Sequence, residues 1–129
     1  MTAKLEHLNI TVSDPDRTAQ LLTDIFGWQV RWDGHSELGG RSVHVGEADN
    51  GGSYLAIYRE GEPSAGTEST DATIGGLNHV GVLVADLDSV EQRVINAGFE
   101  PYSHGDYEPG RRFYFDDHDG VEFEVVSYS

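Results

Sequence analysis

The sequence predicts an α+β fold in which two βαβββ modules form a curved mixed sheet around a cleft, with the helices outside. Three observations predict it. Leu5-Glu6-His7-Leu8-Asn9-Ile10-Thr11-Val12-Ser13-Asp14 returns 72 residues later as Leu77-Asn78-His79-Val80-Gly81-Val82-Leu83-Val84-Ala85-Asp86, with Leu, His, Val and Asp in register. In both copies apolar residues alternate with others, the period of a half-buried strand. Behind each copy comes an apolar stripe at helical spacing, closed by glycine. A duplicated fold sets equivalent residues at symmetry-related positions, so His7 and His79 become candidates for one shared site.

The elements follow in order. Leu8, Ile10 and Val12 share one strand face, which leaves His7, Asn9 and Thr11 on the other. Asp14 and Asp16 open a helix over about residues 15–26, Leu21, Leu22, Ile25 and Phe26 are its stripe, and Gly27 stops it. Gln29 to Trp32, Arg41 to Val45 and Ser53 to Arg59 read as three strands, with Gly39-Gly40 and Asn50-Gly51-Gly52 as turns. Glu60 to Gly76 has Ile74 as its one large apolar residue and reads as a linker. The second half repeats the order. Val80, Val82 and Val84 form a strand face, and Asp86 and Asp88 open a helix carrying Val90, Val94 and Ala97 before Gly98. Strands are expected at Glu100 to Tyr102, Arg111 to Phe115 and Val121 to Val126. The 129 residues make one domain: a module over about 1–60, the linker over about 61–76 and a module over about 77–129.

Composition narrows the function. No apolar run approaches the length of a membrane span, and Met1 to Ser13 lacks the basic and apolar regions of a signal peptide, so a cytoplasmic protein is expected. With no cysteine, any metal must be held by histidine and carboxylate. The chain carries 23 Asp plus Glu against 8 Lys plus Arg, a net charge of −15, with Lys4 its single lysine. Such a surface repels nucleic acid and anionic membranes. It also fits a halophilic protein, because concentrated salt shortens the range of self-repulsion.

The repeated modules, a histidine in each first strand and a carboxylate in the last strand resemble the vicinal oxygen chelate superfamily, which includes glyoxalase I, extradiol dioxygenases, and fosfomycin and bleomycin resistance proteins. The most specific stretch is Phe113-Tyr114-Phe115-Asp116-Asp117-His118-Asp119-Gly120-Val121-Glu122-Phe123-Glu124-Val125. It is similar to the family's aromatic residues, Asp-Pro-Asp-Gly turn and glutamate four residues past the glycine. His118 stands in place of the usual proline, and Val121 in place of a common asparagine. The resemblance implies His7, His79 and Glu124 as ligands of a divalent ion, with Fe(II), Mn(II) and Zn(II) all compatible. Ala56 is the best match to the family's fourth ligand, and a methyl group binds no metal.

Two imidazoles and one carboxylate leave coordination positions open, as in non-haem iron enzymes. The resemblance therefore implies a metal-dependent enzyme acting on a small oxygen-rich molecule, with extradiol dioxygenase chemistry fitting the ligand count better than glyoxalase chemistry. Tyr114 and His44 are the candidate catalytic donor and base. Arg112 is a candidate for a substrate carboxylate, and Tyr54 and Tyr58 face the same way as Ala56. Glu122 shares Glu124's face by alternation and is otherwise a solvated edge residue. His35, His104 and His118 read as surface residues. The competing class is a metal-free binding protein with an aromatic groove of Trp32, Tyr54, Tyr58 and Tyr114. A glyoxalase I-like lyase would need the carboxylate that Ala56 lacks. Exposed strand edges favour a homodimer. If the acidic surface reflects adaptation to salt, the thermal midpoint should rise from dilute buffer to molar potassium chloride. Equal midpoints would remove the halophilic reading.

Overall fold

The computed structural model describes residues 2–35, 39–48, 52–66 and 69–129. They fall into two compact units, Met1–Ser64 and Ala65–Ser129. The first contains β1 (His7–Thr11), α1 (Pro15–Phe26), β2 (Gln29–His35), β3 (Arg41–Gly46) and β4 (Tyr54–Arg59). The second opens with a 3-10 turn at Thr70–Ala72 and continues with β5 (Val80–Leu83), α2 (Leu87–Asn96), β6 (Tyr102–Tyr107), β7 (Gly110–Asp116) and β8 (Glu122–Ser127). Each unit has its own four-stranded mixed sheet, in the orders β1-β4-β3-β2 and β5-β8-β7-β6. Three strands form an antiparallel meander, and the last runs parallel to the first strand of its module.

Both helices begin and end for the reasons the sequence gives. The Asp14 carboxylate accepts the Arg17 N–H at 3.2 Å, and Asp86 accepts that of Ser89 at 3.1 Å. Gly27, at φ 74°, closes α1 by donating its N–H to the Thr23 carbonyl at 2.9 Å. Leu22 and Ile25 of α1 are fully buried, as are Val43, Val45 and Ile57 of the sheet that α1 covers. In the second unit Val94 of α2 is buried with Phe113, Phe115, Phe123 and Val125. One face of each sheet is therefore apolar and helix-covered. The other is left for polar and aromatic side chains.

Several boundaries differ from the sequence expectation. β2 continues through Asp33-Gly34-His35, because the ladder to Val43, Ser42 and Arg41 holds residues whose side chains show no alternation. β6 begins at Tyr102 instead of Glu100 and continues to Tyr107. Pro101 has no N–H for the ladder, and the Gly105-Asp106-Tyr107 run is held by pairing with β7, not by an apolar face. His79 lies one residue ahead of β5. Of the expected Asn50-Gly51-Gly52 turn, the first two residues lie outside the described ones, as do residues 67 and 68 of the linker. Ile74 in the linker is fully exposed.

The turn joining β7 to β8 fixes the position of the last strand. Asp117, only 7% exposed, accepts the N–H groups of Asp119 and Val121 on Oδ1, both at 2.9 Å. Burial raises its pKa above the usual carboxylate range, and the two N–H groups partly oppose the shift. Asp117→Ala would strand two donors and should cost about 1–3 kcal/mol in a denaturant titration. Asp117→Asn keeps the acceptor. A raised folded-state pKa gives stability below the unfolded value that is lost as pH rises through the folded one. The asparagine variant should therefore gain on the wild type as pH rises from the acid range to neutrality. A constant difference would contradict this account.

Candidate metal centre

Strand parity assembles the site in the second module. Phe123 and Val125 of β8 point under α2, so Glu122 and Glu124 project from the opposite face. β5 runs parallel to β8 with Gly81 beside Glu124, which brings His79, two residues earlier, onto that face. Across the other edge of β8, Tyr114 lies opposite Glu124 and Asp116 opposite Glu122. The His79 Nε2 atom is 2.9 Å from Glu124 Oε2, and its Nδ1 is 3.5 Å from Glu122 Oε2. Arg112 donates from Nη1 to the other Glu124 oxygen, Oε1, at 2.7 Å. The Tyr114 ring meets His79 edge-on, with centroids 5.8 Å apart.

Charge and burial tune these groups. Burial and then the Glu124 charge raise the Tyr114 pKa, so its hydroxyl stays protonated and able to donate. Tyr102 is raised further by burial and by its contacts with Glu122 and Asp116. Its hydroxyl lies 2.7 Å from Glu122 Oε1 and 2.8 Å from Asp116 Oδ1, within hydrogen-bond reach of both carboxylates. Burial disfavours charge on Arg112, yet the Glu124 contact prevails and the guanidinium is held firmly charged. Its Nε and Nη2 atoms are buried without a hydrogen-bond partner, while the guanidinium lies 4.9 Å over the Tyr107 ring.

The first module carries a row of rings on its corresponding face. His7 stacks on Tyr54 at 4.9 Å, Tyr54 on His44 at 4.7 Å, and His44 lies 4.9 Å from Trp32. The Arg31 guanidinium lies 5.0 Å over Tyr54. His7 Nδ1 is 2.9 Å from Glu6 Oε1, which also accepts the Tyr54 hydroxyl at 3.2 Å. Burial, then the charges of His7 and Arg31, lower the His44 pKa, so it stays neutral to lower pH than a free imidazole. Ala56 pairs with Asn9 and with His44 as Glu124 pairs with Gly81 and with Tyr114. It thus occupies the repeat position of Glu124, and His44 that of Tyr114.

Of the residues singled out in the sequence, the second module brings together His79, Glu124, Tyr114 and Arg112. The first brings together His7, His44 and Tyr54. Tyr58 bonds Glu60 at 2.8 Å instead. Within neither module, among the described residues, does a group of three histidine or carboxylate side chains stand in a ligating arrangement. Of the three candidate ligands, His79 and Glu124 share a module and lie 2.9 Å apart.

Comparison with known proteins places this architecture. The sequence profile of the Glyoxalase/Bleomycin resistance protein/Dioxygenase superfamily matches residues 4–125. The chain belongs to that superfamily. Among curated protein sequences none matches it. Solved structures with the same fold include a glyoxylase/bleomycin resistance protein/dioxygenase domain from Frankia sp. EAN1pec, with TM-score 0.80 and 22% identity over 98% of both chains. The genomically encoded fosfomycin resistance protein FosX from Listeria monocytogenes has TM-score 0.72 and 20% identity, over 98% of this chain and 94% of its own. An antibiotic binding protein from Streptomyces sp. CB03234 has TM-score 0.75 and 18% identity, over 99% and 98% respectively.

For this superfamily member, sequence reasoning missed Glu6, Tyr102 and Tyr107. Glu6 precedes a histidine in a stretch read for alternation alone, and Tyr102 and Tyr107 lie on an edge strand without a clear pattern. Two other residues take different partners from those expected. Arg112, expected to await a substrate carboxylate, is bound to Glu124, the nearest carboxylate on its own face. Glu122, otherwise read as a solvated edge residue, is held by Tyr102. The Arg112–Glu124 pair carries a checkable consequence. Arg112→Met strands the Glu124 charge, whereas Arg112→Met with Glu124→Gln removes both charges together. Urea titrations should find the single variant less stable than the double. The reverse order would show that the pair contributes little to the fold.

Proposed function

We propose that the protein is a metal-dependent enzyme acting on a small oxygen-rich molecule, with His79 and Glu124 as two ligands and His7, the repeat counterpart of His79, as the third. The observation that carries this reading is the 2.9 Å separation of His79 Nε2 and Glu124 Oε2. Ligand distances of about 2.0–2.2 Å put two neighbouring donors of one ion about 3 Å apart, so the pair fits a shared divalent ion. Arg112 occupies Glu124 Oε1 and leaves Oε2 facing the imidazole. Ala56 at the repeat position of Glu124 supports a set of three protein ligands, the dioxygenase type, over the glyoxalase I type.

When bound, Fe(II), Mn(II) or Zn(II) would supply Lewis-acid polarisation of substrate oxygens and, with iron, redox chemistry. The chain's own residues would orient and exchange protons. Tyr114, kept protonated, donates a hydrogen bond from its hydroxyl to a substrate oxygen. His44, kept neutral, accepts a proton at a ring nitrogen. Arg112 holds the Glu124 carboxylate in one orientation. The homodimer and the small-molecule partner expected from the sequence belong to this proposal.

A second reading is favoured by one observation. The Trp32–His44–Tyr54–His7 row offers stacking faces for a planar ligand, which would suit metal-free binding of an aromatic compound. Metal content separates the two. Protein purified without chelators should retain a divalent ion, and His79→Ala should lose it while keeping its circular dichroism spectrum. Unchanged metal content in the variant would reject the ligand assignment. Ferrous protein should also bind a catechol under anaerobic conditions, as read by titration calorimetry.

A further inference from the structure

Arg112 uses one side of its guanidinium and leaves the other unused. Nη1 donates to Glu124 Oε1 at 2.7 Å, while Nε and Nη2 are buried and, among the described residues, have no hydrogen-bond partner. Nε and Nη2 form the side of the group that grips a carboxylate through two parallel N–H bonds. Burying two donors of a charged group without an acceptor is costly. The chain carries 23 Asp plus Glu, yet none of the described ones accepts from this edge.

The fold itself does not require a cation there. Ser42 is the repeat counterpart of Arg112, since it pairs with Tyr58, two residues past Ala56, as Arg112 pairs with Val126, two past Glu124. The edge-strand glycine is common to both modules: Gly34 pairs with Ser42, and Gly105 with Arg112. A ring lies against each glycine, where an added Cβ would come 2.9 Å from a Trp32 carbon and 2.6 Å from a Tyr107 carbon. The second module alone places a guanidinium under the ring, 4.9 Å from the Tyr107 centroid.

The neighbours suit one end of an organic anion. Leu83 of β5 pairs with Val126 on one side as Arg112 does on the other. By alternation all three side chains rise on the face that carries Glu124, one row further along the strands. Two residues of strand advance about 7 Å, the span of one six-membered ring with its substituents. Leu83, exposed on that face, offers such a ring an apolar flank.

We propose that the Nε–Nη2 edge of Arg112 is a subsite for a carboxylate of the substrate, uncovered when the Tyr107 ring moves aside. Two coplanar donors and one positive charge match the two oxygens and single charge of a carboxylate. A phosphate or phosphonate dianion calls for a second cation, and the adjacent Arg111 is held by Asp88 of α2 at 2.9 Å. Tyr107, the last residue of β6, is 62% exposed, so its ring turns away without opening the core. The substrate is then a short anion, with its reacting oxygens beside Glu124 and a carboxylate at the far end. This substrate class rests on the metal-enzyme reading, whereas the anion site is tested without metal so that either can fail alone.

The test titrates benzoate into metal-free full-length protein labelled with ¹⁵N-arginine, in carboxylate-free buffer. The Nε–H resonance that is lost in Arg112→Lys marks the edge. Benzoate should shift that resonance saturably in the wild type, and benzamide, its neutral isostere, should bind about tenfold more weakly or worse. Glu124→Gln removes the anion already on the guanidinium and should tighten benzoate binding. Tyr107→Ala should speed exchange of the Nε proton with water, and unaltered exchange would overturn the gating role of the ring. A resonance that benzoate does not move, or benzamide binding as well as benzoate, would overturn the subsite. Inorganic phosphate displacing benzoate at lower concentration than acetate does would overturn its assignment to a carboxylate. Should benzoate bind as stated while His79→Ala leaves the metal content unchanged, the anion site stands and the metal-enzyme reading falls.

Discussion

The parallel pairing of β5 with β8 is the constraint on which the site depends. It puts Gly81 beside Glu124, and because side chains alternate along a strand, His79 comes up on the same face as the carboxylate. A slip of β5 by one residue would send His79 to the helix side and the buried Val82 to the open side, and a slip of β8 would do the same to Glu124 and Phe123. That cost protects the register, since Phe113, Phe115 and Phe123 fill the space beneath α2 and none can be released to solvent cheaply. Core packing, not any bond between the site residues, is thus what brings the imidazole and the carboxylate together.

The same architecture, applied twice, yields different chemistry in the two modules. Where the second places Glu124, the first places Ala56; where the second places Tyr114, the first places His44. One duplicated frame therefore carries an acidic, hydrogen-bonded face and an aromatic, stacked one. The acidic face is tied together from Asp116 through Tyr102 and Glu122 to His79, Glu124 and Arg112. The aromatic face is a run of rings with Arg31 over Tyr54.

The sequence carried the parts of this fold that obey a period. Both helices were marked by an aspartate cap, a stripe and a glycine, and both appear within a residue or two of the expected bounds. Strands with a clear apolar face, β3, β4, β7 and β8, were likewise close. β6 and the far end of β2 were misjudged because main-chain pairing holds them, and a ladder leaves no trace in side-chain hydropathy. Among the candidate residues, Glu124 is marked in the sequence by its motif and His79 by the repeat. The partnership of Arg112 with Glu124 is not, because alternation assigns a face but not which neighbours on it will bond. Glu6 and Tyr102 were invisible for the same reason.

The central claim is that duplication has supplied two imidazoles and one carboxylate to a single ion. X-ray absorption at the metal edge of the loaded, full-length protein tests it directly, because imidazole rings give distinctive multiple scattering beyond the first shell. The account predicts a nitrogen and oxygen shell with the outer-shell signature of two imidazoles. A spectrum with no imidazole contribution would contradict it.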